Sequence, residues 1–183
     1  MKRFYIYALI ICCTLFSNSC KKDSTTNNNN DNIPGLPPAT QTGANTFGCL
    51  VNGVPWVPQG SNGTNNLSID YDPGFNNGIF NISARNFLSV NGERIVIGLL
   101  DSLNFTKPPQ KYDLSNSSLF RAIFMSNCII ESWKPQVKVF SGSLTINTLN
   151  SQLNIIAGTF EFHMTKDFCD TIKITHGRFD FKF

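Results

Sequence analysis

The chain has 183 residues, with 15 Lys and Arg against 12 Asp and Glu, for a formal net charge of +3. A balance this close to neutrality, with Lys and Arg spread along the chain, excludes the electrostatic footprint of a nucleic-acid-binding protein. Six cysteines in so short a chain make its compartment the first question.

In chain order, Lys2 and Arg3 precede an apolar run over residues 4–16, and Ser17-Asn18-Ser19 lead to Cys20. A basic start, an apolar stretch of about a dozen residues and a small-residue exit are the parts of a secretory signal, and the run is too short for a membrane-spanning helix. Cys20 at that boundary, with a long polar tract behind it, resembles a bacterial lipoprotein precursor, although Ser17 stands where such signals usually carry Leu. The resemblance implies cleavage between Ser19 and Cys20, acylation of Cys20, and a cell-envelope location at the outer membrane, facing the periplasm or the exterior. Two or more acyl chains anchor a protein stably to a bilayer. Losing Lys2 and Arg3 leaves 13 basic groups against 12 acidic ones, a net charge of +1.

Residues 20–45 are dominated by Asn, Ser, Thr, Pro and Gly, a composition that buries too little apolar surface to offset chain entropy. The expected organisation is therefore a signal peptide over 1–19, a lipidated Cys20 with a disordered tether over 20–45, and one β domain over 46–183. No later segment approaches 18 uninterrupted apolar residues, so no membrane helix is expected. Cys12 and Cys13 leave with the signal, which leaves Cys49, Cys128 and Cys169 in the domain.

Turn chemistry dominates that domain. Asn-Gly occurs at 52–53, 62–63, 77–78 and 91–92, the dipeptide favoured in type I′ hairpin turns. A two-residue turn at Asn52-Gly53 sets Val51 opposite Val54 and Cys49 opposite Trp56. The same turn at Asn91-Gly92 sets Val90 opposite Glu93, Leu88 opposite Ile95 and Ala84 opposite Leu99. Further strands are expected over 67–72, 79–90, 94–101, 111–114, 119–126, 137–148, 152–165 and 170–183, and no segment keeps a helical period over three turns. The fold class is all-β, an antiparallel meander of eight or nine strands forming a small barrel or sandwich.

In the last strand, Ile172 and Ile174 alternate with polar residues, and then the phase moves to Phe179, Phe181 and Phe183. A bulge at His176-Gly177 accounts for the change. The strand directions bring the loops carrying Cys128 and Cys169 to one end, which makes these two the expected disulfide, with Cys49 a buried small hydrophobe.

The stretches TGANTFGCLVNGVPWVP (42–58), SGSLTINTLNSQLNIIAGTFEF (141–162) and ITHGRFDFKF (174–183) together resemble an uncharacterised family of small bacterial lipoproteins. In that family an NG-x-x-W hairpin opens the domain and a GTFxF strand precedes a closing GRFD strand. The resemblance implies the all-β fold and the lipid anchor. It supplies no catalytic residues.

Candidate chemistry is sparse. His163 and His176 fall on adjacent strands, with Glu161 on the face of His163, but their spacing fits no metal-ligand pattern, and Glu161 has Lys173 as an expected cross-strand partner. No catalytic residue, metal or cofactor is assigned. Trp133, with Ile129 and Ile130, occupies the connection between two strands, where it forms either a ligand rim or, the preferred reading, a plug over the end of the fold. The terminal Phe183 also suits an outer-membrane barrel, but the strands are too short for lipid-facing bands. Taken together, these features suggest a non-enzymatic, membrane-anchored β domain binding a small molecule, glycan or protein. The alternatives are a glycan-acting hydrolase and a structural part of a surface assembly. The acids Asp70, Asp72, Asp101, Asp113, Glu131 and Glu161 look scattered; two of them roughly 5–10 Å apart in an aromatic-lined cleft would favour hydrolysis.

Overall fold

A computed structural model describes residues 32–90, 92–115, 118–126, 128, 137–166 and 169–183. They form ten strands: β1 (Thr46–Val51), β2 (Val54–Trp56), β3 (Leu67–Asp72), β4 (Ile79–Asn86), β5 (Glu93–Leu99), β6 (Gln110–Asp113), β7 (Phe120–Met125), β8 (Val137–Asn150), β9 (Ile155–Lys166) and β10 (Ile172–Lys182). Two antiparallel sheets result, with strand orders β2-β1-β10-β9-β8-β6 and β3-β4-β5-β7. The strand count exceeds the expected eight or nine.

The fold is a sandwich, and the barrel alternative is not realised. Closure would need β2 to pair with β3 and β6 with β7, but both seams stay open. β2 is only three residues long, with Pro55 lacking a donor and Pro58 just beyond. β6 spends its pairing on β8.

The inner faces follow from alternation. Phe80, Ile82 and Ala84 of β4 and Ile95, Ile97 and Leu99 of β5 meet Phe160, Phe162 and Met164 of β9 and Phe179 and Phe181 of β10. Phe80 and Phe179 approach across the two sheets with ring centroids 6.0 Å apart, and Phe47 stacks on Phe160 at 5.2 Å. Each such buried aromatic or branched side chain contributes about 1.5–3 kcal/mol through area removed from water. Cys49 is fully buried in this core, and burial pushes its thiol pKa well up, so it acts as a small hydrophobe.

The Asn52-Gly53 hairpin has the expected register, Val51 opposite Val54 and Cys49 opposite Trp56, with φ of 51° and 84° at the turn. The second hairpin differs. Ala84 pairs with Ile95 and Asn86 with Glu93, so the connection is six residues long, 87–92. Asn86 causes this: its side-chain oxygen accepts from the amides of Leu88 and Ser89, and the Ser89 hydroxyl accepts from the amide of Glu93. An Asx turn thus ends the strand before Asn91-Gly92 is reached. The slip is even-numbered, so the inward face is unchanged while Leu88 and Val90 are left exposed.

The bulge at His176-Gly177 is present. Ile174 pairs with Phe162 but Gly177 with Phe160, and His176 has φ 53°. Gly177 lies so close to the neighbouring strand that an added Cβ would sit 2.5 Å from the Phe160 ring and carbonyl oxygen. Cys128 and Cys169 are bonded, with Cα atoms 6.1 Å apart, and tie the end of β7 in one sheet to the β9–β10 connection in the other.

Residues 32–45, part of the expected tether, lie along the outer side of β10. Asp180, 1 % exposed, accepts hydrogen bonds from the Thr40 hydroxyl (2.6 Å), the Thr42 amide (2.9 Å) and the Gly43 amide (2.7 Å). Arg178 donates to the Pro37 carbonyl at 3.3 Å. This strap explains why β10 is buried on both faces from Gly177 to Phe181. The rest of the expected tether, with the signal peptide and Cys20, lies outside the described residues.

Candidate functional site: a cleft on the outer face of β6, β8 and β9

Beyond the strap, the outer face of the six-stranded sheet is open. Its side chains form rows set by register. Asp113 on β6 pairs with Ser143 on β8, which pairs with Glu161 on β9. One row away, Ser141 pairs with His163, and His163 with Lys173 on β10. Lys111 begins the row on the other side, opposite Thr145. A cleft of about 710 Å³ lies over these rows, lined by Lys111, Asp113, Ser141, Ser143, Glu161 and His163, with Phe140 at its side.

Phe140 owes its position to a bulge. Val139 pairs with Met164 and Ser141 with His163, so Phe140 is the extra residue on β8. It is 54 % exposed, with its ring centroid 5.9 Å from that of His163. An aromatic ring thus stands on a face that is otherwise hydroxyl, carboxylate, imidazole and ammonium. The signal was present in the sequence: Val137 and Val139 occupy one alternation phase, Leu144 and Ile146 the other, and a phase change requires an extra residue between them.

The two carboxylates differ in setting. Asp113 accepts from the Ser115 amide at 2.9 Å, and this bond, then the Ser115 hydroxyl, holds its pKa below the ordinary carboxylate range against a smaller opposing effect of desolvation. The Ser143 hydroxyl donates to Glu161 at 3.4 Å. Both acids are exposed to water. They stand two strand spacings apart, about 10 Å between backbones.

The other expected site residues fall as follows. Glu161 does not pair with Lys173; on the hairpin side of the bulge the register sets His163 opposite Lys173, and Glu161 lies opposite the bulge itself. His176 is exposed on that bulge. Asp70 and Asp72 lie on β3 in the other sheet, and Asp101 follows β5 and accepts from the Ser102 hydroxyl. Among the described residues no group of three or more His, Cys, Asp or Glu is placed to hold a metal ion, and no helix is long and apolar enough to cross a membrane. Ile129, Ile130, Glu131 and Trp133 lie outside the described residues, so the rim and plug readings do too. Lys111, Phe140, Ser141 and Ser143 are cleft residues that sequence reasoning missed.

No protein-family model, no curated protein and no solved structure matches the chain.

Proposed function

We propose that this chain is a lipid-anchored cell-envelope protein whose β domain binds a glycan, without catalysis, in the cleft on β6, β8 and β9. The anchor and location rest on the resemblance of residues 1–20 to a lipoprotein signal and of the domain to a family of small bacterial lipoproteins. The binding function rests on Phe140, which a bulge turns out of the core onto a polar face. A ring held in water against its hydrophobic preference, beside carboxylate and hydroxyl groups, suits a polyhydroxylated ligand: sugar C–H faces stack on the ring while acids and serines bond the hydroxyls.

Hydrolysis is the second reading, favoured by Asp113 and Glu161 flanking one cleft. It is the weaker one. A glycosidase needs one carboxyl raised so that it stays protonated, whereas Asp113 is lowered, and both acids stand in open water. Calorimetric titration of envelope oligosaccharides should give binding that weakens about tenfold in Phe140→Ala, a loss of roughly 1.4 kcal/mol. Release of new reducing ends, abolished in Glu161→Gln, would replace binding with hydrolysis. Absence of both, with a folded protein, would remove the cleft from consideration.

A further inference from the structure

On the opposite side of the sandwich, the outer face of the four-stranded sheet gathers positive charge. Arg85 on β4 pairs directly with Arg94 on β5, an arrangement in which like charges repel. Arg121 on β7 pairs with Gly98, four residues along β5 from Arg94 and therefore on the same face. The outward positions of β4, β5 and β7 otherwise carry Ile79, Asn81, Ser83, Val96, Ile123 and Met125, with no acid among them; Asp70 and Asp72 stand on β3, at the far edge.

The arginines have no carboxylate partner among the described residues. The Arg94 Nε donates to the Ser83 hydroxyl at 2.9 Å, which leaves its terminal nitrogens without an acceptor among the described residues, and Arg85 lies over the Phe87 ring at 5.9 Å. Arg121 is exposed. Burial, and then the charges of Arg85 and Arg121, push the Arg94 pKa below its ordinary value, which places the three guanidinium groups within reach of one another's charge.

An ion pair would relieve this repulsion, yet the described residues supply none. A ligand anion would relieve it equally well, and the planar fork of Arg is suited to the paired oxygens of a tetrahedral oxyanion. We propose that Arg85, Arg94 and Arg121 form a binding site for a phosphate group, on the sandwich face opposite the cleft. Arg94, held by Ser83, is the fixed element, and the exposed Arg121 closes from the neighbouring strand. The site does not depend on the cleft or on the lipid anchor.

The test is thermal unfolding of the full chain with added inorganic phosphate or pyrophosphate, against chloride at equal ionic strength. At ten times the dissociation constant the phosphate probe should raise Tm by about 3–5 °C over chloride. Arg94→Gln and Arg121→Gln should each weaken binding about tenfold or more. Without anion, Arg94→Gln should melt no lower than the parent, because it removes a repulsion. Should it fail to fold, Arg121→Gln, at an exposed position, carries the test. Co-sedimentation with phosphatidylglycerol vesicles, compared with phosphatidylcholine ones, separates the sources. Arginine-dependent binding to vesicles alone assigns the phosphate to a lipid headgroup, and binding of the free ions assigns it to a soluble ligand. No response to either probe, or an equal response in both arginine variants, overturns the site.

Discussion

On β10, Arg178 and Asp180 point outward from the six-stranded sheet and lie buried under the strap of residues 32–45. On the adjoining β9 and β8, Glu161, His163 and Phe140 point outward from the same face and remain in solvent contact. The covered half uses its charges to hold chain: one carboxylate collects amide and hydroxyl donors from three residues of the strap. The open half gives its carboxylates only single nearby serines, Ser115 for Asp113 and Ser143 for Glu161, and adds a ring that the core does not use. The contrast separates a polar side chain that builds the fold from one free to meet a ligand, on a surface where alternation alone makes them look identical.

The comparison predicts unequal costs for similar substitutions. The largest belongs to Asp180→Ala, which strands buried donors at Thr40, Thr42 and Gly43 and should lower unfolding free energy by about 3 kcal/mol in denaturant titration. A loss below about 0.5 kcal/mol would mean that the strap is dispensable. The same residue predicts a pH effect. Burial raises the Asp180 pKa, but the hydrogen bonds from the strap, led by that of Thr40, outweigh it, and the folded-state value lies below the ordinary one. The resulting stabilisation is complete above the unfolded pKa of about 3.9 and is lost as pH falls through the lower folded value. Acid unfolding curves of the parent should therefore drop below about pH 4 more steeply than those of Asp180→Asn.

Next in size is Gly177→Ala, on the covered strand, where the new methyl group meets the Phe160 ring and backbone. It should cost about 2 kcal/mol, read as a lower denaturant midpoint at unchanged slope. The smallest effects belong to the open half. Phe140→Ala and Glu161→Gln should each change stability by less than about 0.5 kcal/mol while altering ligand binding. A large loss of stability in either would erase the distinction between the halves.

Much of the architecture was legible because it is written in local pattern. Asn52-Gly53 sets its own hairpin, and the shift from Ile174 to Phe179 announces the bulge between them. The second hairpin was misregistered because Asn91-Gly92 is the stronger turn signal by type, whereas Asn86 and Ser89 end the strand earlier through side-chain bonds to backbone. Strap and cleft were less accessible. A Pro-, Thr- and Gly-rich segment reads as tether unless a partner carboxylate is known, and Asp180 lies 137 residues or more from the groups it binds. The cleft depends on rows that cross β6, β8 and β9, and β6 reaches its place beside β8 only by passing over β7 in sequence. No local pattern encodes that neighbour.

The strap also sets how load enters the domain. A pull applied at Asn32 travels first to Pro37, held by Arg178, and then to Thr40, Thr42 and Gly43, held by Asp180, before it reaches the first residue of β1. These attachments all end on β10, a strand with partners on both sides. Tension along the N-terminal chain is thus passed to the interior of the sheet, and β1 is spared from being unzipped from its end.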